Sequence, residues 1–559
     1  MPKSSKSARS AHLRPHKVRT SIDPALMVPS ADAVSPSRFA TLFFKLKRVK
    51  GAIVAIAGVG AVASGLVGYY TTYKVVSSTQ IISTGVASAK SQIVESKSIA
   101  VLPFVNMSGD KKQEYLSDGI SEELRSQLSK IHELRVIARN SSFAFKGKET
   151  SISEIAKKLK VAHIIEGSIR KSGNKMRINA QLIRVADSSQ LWSETYERDL
   201  VDIFSVQDEI SAAVVRQLKI QILGVTPKAK VVDPRAFALY LQSGQLVRQR
   251  SAEAYTQAIS LLKQALAIEP SYEKAWIQLS YVYMDQADSG QRPVAEGYRL
   301  SREAANKALA INPESASAYA QLGQIALAYD SDLIVAATQM KRAITLEPEN
   351  VFVLANIGSL ALTLGLADKA IAFYEKVQAI DPLSAGIHAT LGSAYLAYGN
   401  LDESIASYRS ALSLSPEYIG AHYSIADALL TKGQLQEALA EIQLEPDESW
   451  RLIGLAMTQH ALGDKNKSNV ALNELILKFE KESAYNIAYV YAYRAEADRA
   501  YEWLNKAASF QDTGLSVIIT QARFTNIHKD PRWLPFLRKI GKAPEQIAAI
   551  KFDAKLPQN

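Results

Sequence analysis

The chain contains no cysteine among its 559 residues. This absence excludes disulfide bonds, thiolate metal sites and cysteine nucleophiles, although it leaves the cellular compartment open. A glycine-rich phosphate loop, an HExxH helix and a GxSxG nucleophile elbow are also missing from the sequence. We therefore expect no enzyme, with no catalytic residue, no metal site and no cofactor.

The net positive charge of the chain lies almost entirely in its N-terminal 50 residues. The net charge is +11, and residues 1–50 carry eleven Lys and Arg against only Asp23 and Asp32. The remaining residues are close to neutral, so they lack the basic bias that nucleic-acid binding requires. We expect no nucleic-acid partner, and we expect residues 1–50 to form a basic, disordered tail.

One long apolar run follows this tail. Residues Gly51–Tyr73 hold no charged side chain, and about 20 such residues cross a bilayer as a helix. Basic residues crowd the near flank and tyrosines stand at the far end, which predicts a transmembrane helix with its N-terminus in the cytoplasm. The markers of this predicted span are Gly51, Gly58, Gly65, Tyr69, Tyr70 and Tyr73.

Two other interpretations of the run are weaker. A buried core helix rarely stays free of charge over such a length. A cleaved signal peptide has a much shorter basic region, and no small-residue cleavage site closely follows the run.

Small residues recur every four positions within the predicted span, at Ala57, Ala61 and Gly65. Such a stripe lets two membrane helices approach closely, which favours a homodimer. The alternative is that Ala and Gly are simply common in membrane helices. Residues 74–97, rich in Ser, Thr, Val and Gly, are predicted to be a linker.

Residues 98–222 have the pattern of a small α/β domain. A short apolar run at Ser98–Phe104 predicts a buried strand, and residues 117–131 have helical spacing. Two alternating segments flank Ser172-Gly173-Asn174, which predicts a hairpin. The polar candidates for an active site here are His163, Glu166, Asp118 and Glu122, and we interpret them as structural residues because no catalytic motif surrounds them.

The segments SIAVLPFVNMSGD, EYLSDGISEELRSQLSKI, LRVIARNSSFAFKGK, AHIIEGSIRKSGNKMRINAQLIRV and LWSETYERDL occur in that order. They resemble the bacterial TolB-N-terminal-like (FlgO-like) domain, which precedes tetratricopeptide repeats in many membrane proteins. In that family the domain often follows an adenylate cyclase domain or a winged-helix domain, so many relatives are labelled adenylate cyclase. The resemblance implies the extracytoplasmic half of such a protein, in the bacterial inner membrane with its bulk in the periplasm. The resemblance does not imply that this chain has cyclase activity.

Residues 233–514 are repetitive. Prolines end similar units at intervals of 43, 35, 34, 34 and 30 residues, at Pro270, Pro313, Pro348, Pro382, Pro416 and Pro446. A 34-residue period with two helices per unit resembles the tetratricopeptide repeat, and about eight units are predicted. Residues 515–545 are predicted to cap the array, because a solenoid must cover its last apolar surface. Residues 546–559 are predicted to be a tail.

The first helices of such repeats line the concave face of the array. Carried over from the repeat family, the groove candidates are Gln324, Phe352, Ser359, Ser393, Tyr423, Asp427 and Thr431. This mixed polar and aromatic set has no Lys or Arg, so it suits an extended peptide better than a phosphate group. Some of these residues are alternatively ordinary packing residues.

The sequence therefore predicts an α+β multidomain fold: one transmembrane helix, a small TolB-N-like α/β domain and an all-α tetratricopeptide solenoid. The predicted function is a membrane-anchored, non-catalytic scaffold for protein or peptide partners. Two alternatives stay open. One is a signal transducer related to cyclases or transmembrane transcription activators that lacks their catalytic or DNA-binding domain, and the other is a cyclase.

Overall fold

The computed structural model describes residues 97–131, 133–199, 202–218, 231–249 and 251–556. The basic tail, the predicted span with its dimerisation stripe, and nearly all of the predicted linker lie outside the described residues. What is described is an α/β domain followed by a helical array.

The α/β domain is built on one mixed sheet. Its strands are β1 Ser98–Val101, β2 Val105–Asn106, β3 Arg135–Val136, β4 His163–Ser172, β5 Lys175–Arg184 and β6 Ser189–Asp199. The strand order is β3-β1-β4-β5-β6, with β2 also paired to β4. Strand β1 is parallel to β3 and β4, whereas β4, β5 and β6 form an antiparallel meander. The β4–β5 turn falls at Gly173, where φ is +60°, as a tight hairpin requires.

Helices cover both faces of this sheet. The domain's helices are α1 Glu114–Leu128, α2 Arg139–Phe143, α3 Ile152–Leu159 and α4 Ile203–Gln217. Helices α1 and α4 bury their apolar sides with Ile99, Val101 and Ile165 on one face. Helix α3 packs on the other face against Ala100, Leu102 and Ile164. Its start is fixed by a capping box between Ser151 and Glu154.

The helical array consists of consecutive antiparallel pairs, each helix packing on the next. The helices are α5 Pro234–Val247, α6 Ala252–Ile268, α7 Glu273–Asp288, α8 Val294–Ile311, α9 Ala316–Ile325, α10 Leu333–Leu346, α11 Val351–Thr363, α12 Ala367–Ile380, α13 Ala385–Tyr398, α14 Leu401–Leu414, α15 Ala421–Thr431, α16 Leu435–Ile442, α17 Glu448–Ala461, α18 Lys465–Phe479, α19 Ala484–Tyr493 and α20 Ala497–Phe510. A π-helical turn, Ala326–Asp330, extends α9.

Glycine and tyrosine set how closely the two helices of a pair cross. A Cβ on Gly358 would lie 2.6 Å from the ring of Tyr374, and one on Gly392 would lie 2.8 Å from the ring of Tyr408. The turn after α13 uses Gly399 at φ +95°, which L side chains rarely adopt.

The chain after α20 turns back over the array. It forms two 3-10 segments, Thr513–Thr520 and Ala522–Ile527, followed by α21 Trp533–Lys539 and α22 Pro544–Ala548. Phe524 is fully buried against Tyr485, Tyr489 and Trp533. These contacts cover the apolar surface that the last helix pair would otherwise expose.

The predicted fold class and location require correction. No helix among the residues described is both long enough and apolar enough to cross a membrane, and the predicted span at 51–73 lies outside them. A fold class that includes a transmembrane helix, and a single-pass location in the inner membrane, are therefore wrong for this structure. Both inferences rested on the length of the apolar run and the charges of its flanks alone.

Candidate partner-binding cleft

The first helices of successive pairs form one continuous inner surface, and all seven predicted groove residues lie on these helices. The structure divides them into three environments. Gln324, Ser359, Ser393 and Tyr423 line a single cleft of about 810 Å³. Asp427 and Thr431 bind another part of the chain, and Phe352 lies in a second cleft.

The 810 Å³ cleft is lined by hydroxyl groups, aromatic rings and small apolar side chains. No Lys or Arg belongs to its described lining, and Asp288 is the one acid there. Its walls come from α7 to α17, and the segment Thr513–Thr520 closes one side. The lining therefore offers hydrogen bonds and apolar contact without positive charge to attract a phosphate.

Two serines of the predicted set serve the packing of their own repeat as well. The Ser359 hydroxyl lies 3.0 Å from the Tyr374 hydroxyl, and the Ser393 hydroxyl lies 2.5 Å from that of Tyr408. Burial raises the pKa of Tyr374 to about 12 although the Ser359 hydrogen bond opposes the rise. Burial also raises the pKa of Tyr408, so both tyrosines are neutral across the physiological range. They present hydroxyl groups, not charges, to the cleft.

Gln324 has a different character. Its side-chain oxygen is buried and accepts no hydrogen bond from any described residue. A buried acceptor without a donor costs free energy.

The cleft holds more aromatic side chains than the predicted groove set contains. Tyr423 packs on Trp450 with ring centroids 4.8 Å apart, and Tyr298 stacks on Tyr329 at 4.7 Å. Burial raises the pKa of Tyr423 well above its ordinary value. Trp450, Tyr298 and Tyr329 fall outside the family's groove positions. The high frequency of tyrosine in the repeat region was the signal that could have predicted an aromatic lining of this extent.

An ion pair joins α15 to the chain's C-terminal segment. The Arg523 guanidinium donates to the Asp427 carboxylate at 2.7 and 2.9 Å, to its backbone oxygen at 2.7 Å and to the Thr431 hydroxyl at 2.6 Å. Burial lowers the pKa of Arg523, but the attraction of Asp427 outweighs it and the net pKa lies above the ordinary value. Asp427 and Thr431 are thus committed to the chain's own C-terminal segment.

The second cleft, of about 630 Å³, lies between the α/β domain and the first helices of the array. Phe352 lies in it with its ring edge-on to Tyr281, 4.8 Å away. Charged residues of both signs line it, including Glu122, Arg125 and Lys274. The α/β domain therefore covers this part of the inner surface.

Polar contacts hold the α/β domain to the array beside α12. The buried Asp381 carboxylate accepts hydrogen bonds from the Ser141 hydroxyl at 2.6 Å, the Ser141 amide at 3.1 Å and the Asn140 side chain at 3.0 Å. The Leu383 amide donates to the Ser141 hydroxyl at 2.9 Å. Near α5, Gly119 lets α1 approach so closely that an added Cβ would overlap Leu241.

The four polar candidates of the α/β domain are not brought together in one pocket. His163 is buried at the start of β4, and burial lowers its pKa although a hydrogen bond with Ser98 opposes the change. Glu166 accepts a hydrogen bond from Gln181. Asp118 pairs with Lys146 and Arg139, and Glu122 pairs with Arg125. No group of three or more metal-ligating side chains occurs among the described residues.

Comparison with protein families identifies the repeats. Tetratricopeptide models match residues 353–382 and 392–433, which confirms the predicted repeat type. Residues 95–213 match the second domain of the HilA/YgeH-like transcriptional regulators. The TolB-N-like resemblance stays a prediction.

Among curated proteins, the chain is 42% identical over 195 residues to "Putative adenylate cyclase 3" of Rhizobium meliloti (strain 1021). The match covers 34% of this chain and 33% of that protein, so the chain spans about a third of its relative's length.

Solved helical-repeat structures resemble the array at low identity. One is pilF of Pseudomonas aeruginosa, 18% identical, with a TM-score of 0.30, covering 37% of this chain and 92% of that one. Another is a tetratricopeptide repeat protein of Parabacteroides merdae ATCC 43184, 16% identical, with a TM-score of 0.33, covering 44% and 94%. At these values they bear on neither partner nor activity. The helical array contains tetratricopeptide repeats, and such repeats support protein partners, whereas a membrane partner and a homodimer find no support.

Proposed function

We propose that this chain is a non-catalytic scaffold that binds a peptide segment of a partner protein in the 810 Å³ cleft. The observation that carries the proposal is the lining, which combines aromatic rings, tyrosine hydroxyls and serines without a basic side chain. Such a surface stacks on apolar side chains and hydrogen-bonds a peptide backbone.

The shape of the cleft limits the ligand to a short segment. The segment Thr513–Thr520 bounds one side of the cleft, and the α/β domain covers the inner surface beside Phe352. A long helix threading the whole array would meet both obstructions. A chain terminus or a short extended loop fits the remaining space.

Blocking the cleft with one bulky side chain tests this proposal. Peptides selected from a random displayed library on the purified chain are measured by calorimetry against two variants. In Ala397→Trp the indole projects from α13 into the cleft, where Ala397 is half-buried. In the control, Ala406→Trp, the same residue is placed on the exposed side of α14.

We expect Ala397→Trp to weaken peptide binding at least tenfold, which is about 1.4 kcal/mol, and Ala406→Trp to leave it unchanged. Circular dichroism checks that both variants keep their helices. Equal binding by the two folded variants would place the peptide elsewhere and refute the cleft. Failure to select any peptide would refute peptide recognition itself.

A second candidate function is a regulatory module of a signalling protein. It is favoured by the 42% identity over 195 residues to a protein named putative adenylate cyclase, and by the match of residues 95–213 to a domain of transcriptional regulators. In this alternative the chain still acts by binding and forms no product. Purified chain given ATP and manganese is expected to make no cyclic AMP. Formation of cyclic AMP above a boiled control would overturn the non-catalytic assignment.

A further inference from the structure

The last residues described, 551–556, belong to no helix or strand and follow the surface of the array after a turn at Ile550. Ile550, Phe552, Ala554 and Leu556 are partly buried and pack on the core of the α9–α12 region. The alternating residues Lys551, Asp553 and Lys555 are exposed. This period of two is what an extended segment shows when one of its sides lies on an apolar surface.

The surface beneath is a groove between α10 and α12, the second helices of two neighbouring pairs. Its floor includes Met340 from α10 and Ile357 and Leu360 from α11. The ring of Phe552 lies edge-on to Phe373 of α12, with centroids 6.4 Å apart. This is a different surface from the 810 Å³ cleft, whose lining includes none of these side chains.

Charge fixes the register of the segment in the groove. The Lys369 ammonium lies 5.2 Å from the centre of the Phe552 ring, and Lys341 pairs with Asp553. One lysine therefore recognises the aromatic residue through a cation–π contact, and the other recognises the acid that follows it. Both lysines belong to the helices that form the groove walls.

We propose that the groove between α10 and α12 is a second peptide-binding surface, filled here by the chain's own residues 550–556. The partner it fits is a protein segment in extended conformation with an aromatic, a small and an aliphatic residue at alternate positions and an acid after the aromatic. Such a segment competes with the chain's own tail for the same contacts. This proposal is independent of the peptide proposed for the cleft.

The attachment of the tail determines how strongly it competes. A segment tethered by a short linker acts at an effective concentration on the order of 1 mM. If the tail's own intrinsic dissociation constant for the groove is about 10 µM, an external peptide would then bind the full chain roughly 100-fold more weakly than a chain without the tail. The tail thus acts as a built-in competitor.

The experiment measures anisotropy of a labelled synthetic peptide, residues 549–556, added to three proteins. These are the full chain, a chain ending at Ala548, and that shortened chain with Lys341→Glu, which reverses the charge opposite Asp553. A peptide with Phe552→Ala is the ligand control. Circular dichroism and thermal melting establish that each protein is folded. The full chain carrying Phe552→Ala is a fourth protein, in which the tail is weakened without truncation.

We expect binding to the shortened chain that is about 100-fold tighter than to the full chain, intermediate binding to the full-length Phe552→Ala chain, a large loss with the altered peptide, and a smaller loss of about two- to fivefold with Lys341→Glu, because the Lys341–Asp553 pair is exposed. No binding to either folded tail-weakened protein would overturn the proposal. Equal binding by full and shortened chains would also overturn it, because the tail would not occupy the site.

Discussion

Single glycines control the packing of the repeats, because a tyrosine ring lies where their Cβ atom would be. In Gly392→Ala the new methyl group would lie 2.8 Å from the Tyr408 ring. A rigid ring buried between two helices cannot give way without moving one of them. We expect the substitution to lower the free energy of unfolding by about 1–3 kcal/mol.

Gly386 provides the matched control on the same helix, α13. A Cβ there would meet nothing closer than 3.8 Å, so Gly386→Ala is expected to be neutral or stabilising by up to about 1 kcal/mol. Urea unfolding of both variants checks the difference. Equal destabilisation would show that the Tyr408 contact does not limit the packing.

The fold also depends on the buried ion pair between Asp427 and Arg523. Asp427 is 6% exposed and the Arg523 side chain 11% exposed, so neither charge is well hydrated. Asp427→Asn would leave the guanidinium buried without its counter-charge, at an expected cost of about 3–5 kcal/mol.

The measurement is the melting temperature of Asp427→Asn, compared with that of Glu448→Gln. The control substitution breaks a surface ion pair in which Glu448 is 45% exposed and Lys478 is 40% exposed. We expect the surface variant to melt with the parent chain. An Asp427→Asn chain that also melts with the parent would contradict the assigned role.

Lys542 gives a pH-dependent prediction. Its side chain is buried, and burial lowers its pKa from 10.5 to about 8. Between pH 8 and 10.5 the unfolded chain therefore holds a proton that the folded chain has released, so stability rises with pH across this window. The shift corresponds to about 3 kcal/mol. In Lys542→Met this rise is expected to disappear, and stability at pH 7 is expected to increase.

Denaturant midpoints of the parent and the Lys542→Met variant at pH 7, 8, 9 and 9.5 provide the measurement. The quantity compared is the difference in denaturant midpoint between the two proteins, because the tyrosines titrate equally in both. If the denaturant midpoints of the two proteins change with pH in parallel, the Lys542 ammonium group is solvated in the folded chain.

At the scale of elements, the sequence predicted those helices and strands whose signal is a local period or a turn. The 34-residue proline spacing indicated paired helices because proline ends each second helix, and those pairs are present. The Ser172-Gly173-Asn174 turn indicated the β4–β5 hairpin, which is also present. Both signals are local, so the sequence alone carries them.

Elements held by distant contacts could not be predicted in this way. The Thr513–Thr520 segment has no apolar period of its own, and the alternation at residues 550–556 is too short to reveal that they lie on the array. Each is shaped by a surface that residues hundreds of positions earlier create. The same reason explains why Asp427 and Thr431 were predicted as free groove residues although Arg523 binds them.

The contact between the α/β domain and the array is an element-scale prediction. Asp381 caps α12 and accepts three hydrogen bonds from Asn140 and Ser141. Asp381→Ala would remove a charged acceptor and leave buried donors unpaired, at about 2–3 kcal/mol. Hydrogen exchange is expected to speed up in α2, while the exposed control Asp368→Ala leaves it unchanged. Unchanged exchange in both variants would mean that the domain is held elsewhere.

At the scale of the whole molecule, the chain occupies much of its own binding surface. The α/β domain covers one part of the inner face, the Arg523 segment closes another, and residues 550–556 fill a groove between second helices. What remains of the inner face is a bounded cleft with an aromatic and hydroxyl lining. This arrangement supports recognition of a short peptide in place of a long helix.

Photo-crosslinking tests the peptide-binding cleft most directly. A benzophenone amino acid is placed at Thr390, which lines the cleft, or at the exposed Ala406 of α14, and each protein is irradiated with a selected peptide. The account predicts a peptide adduct from position 390 that excess unlabelled peptide abolishes, and none from position 406. Adducts from 406 alone, or equal adducts from both positions, would contradict it.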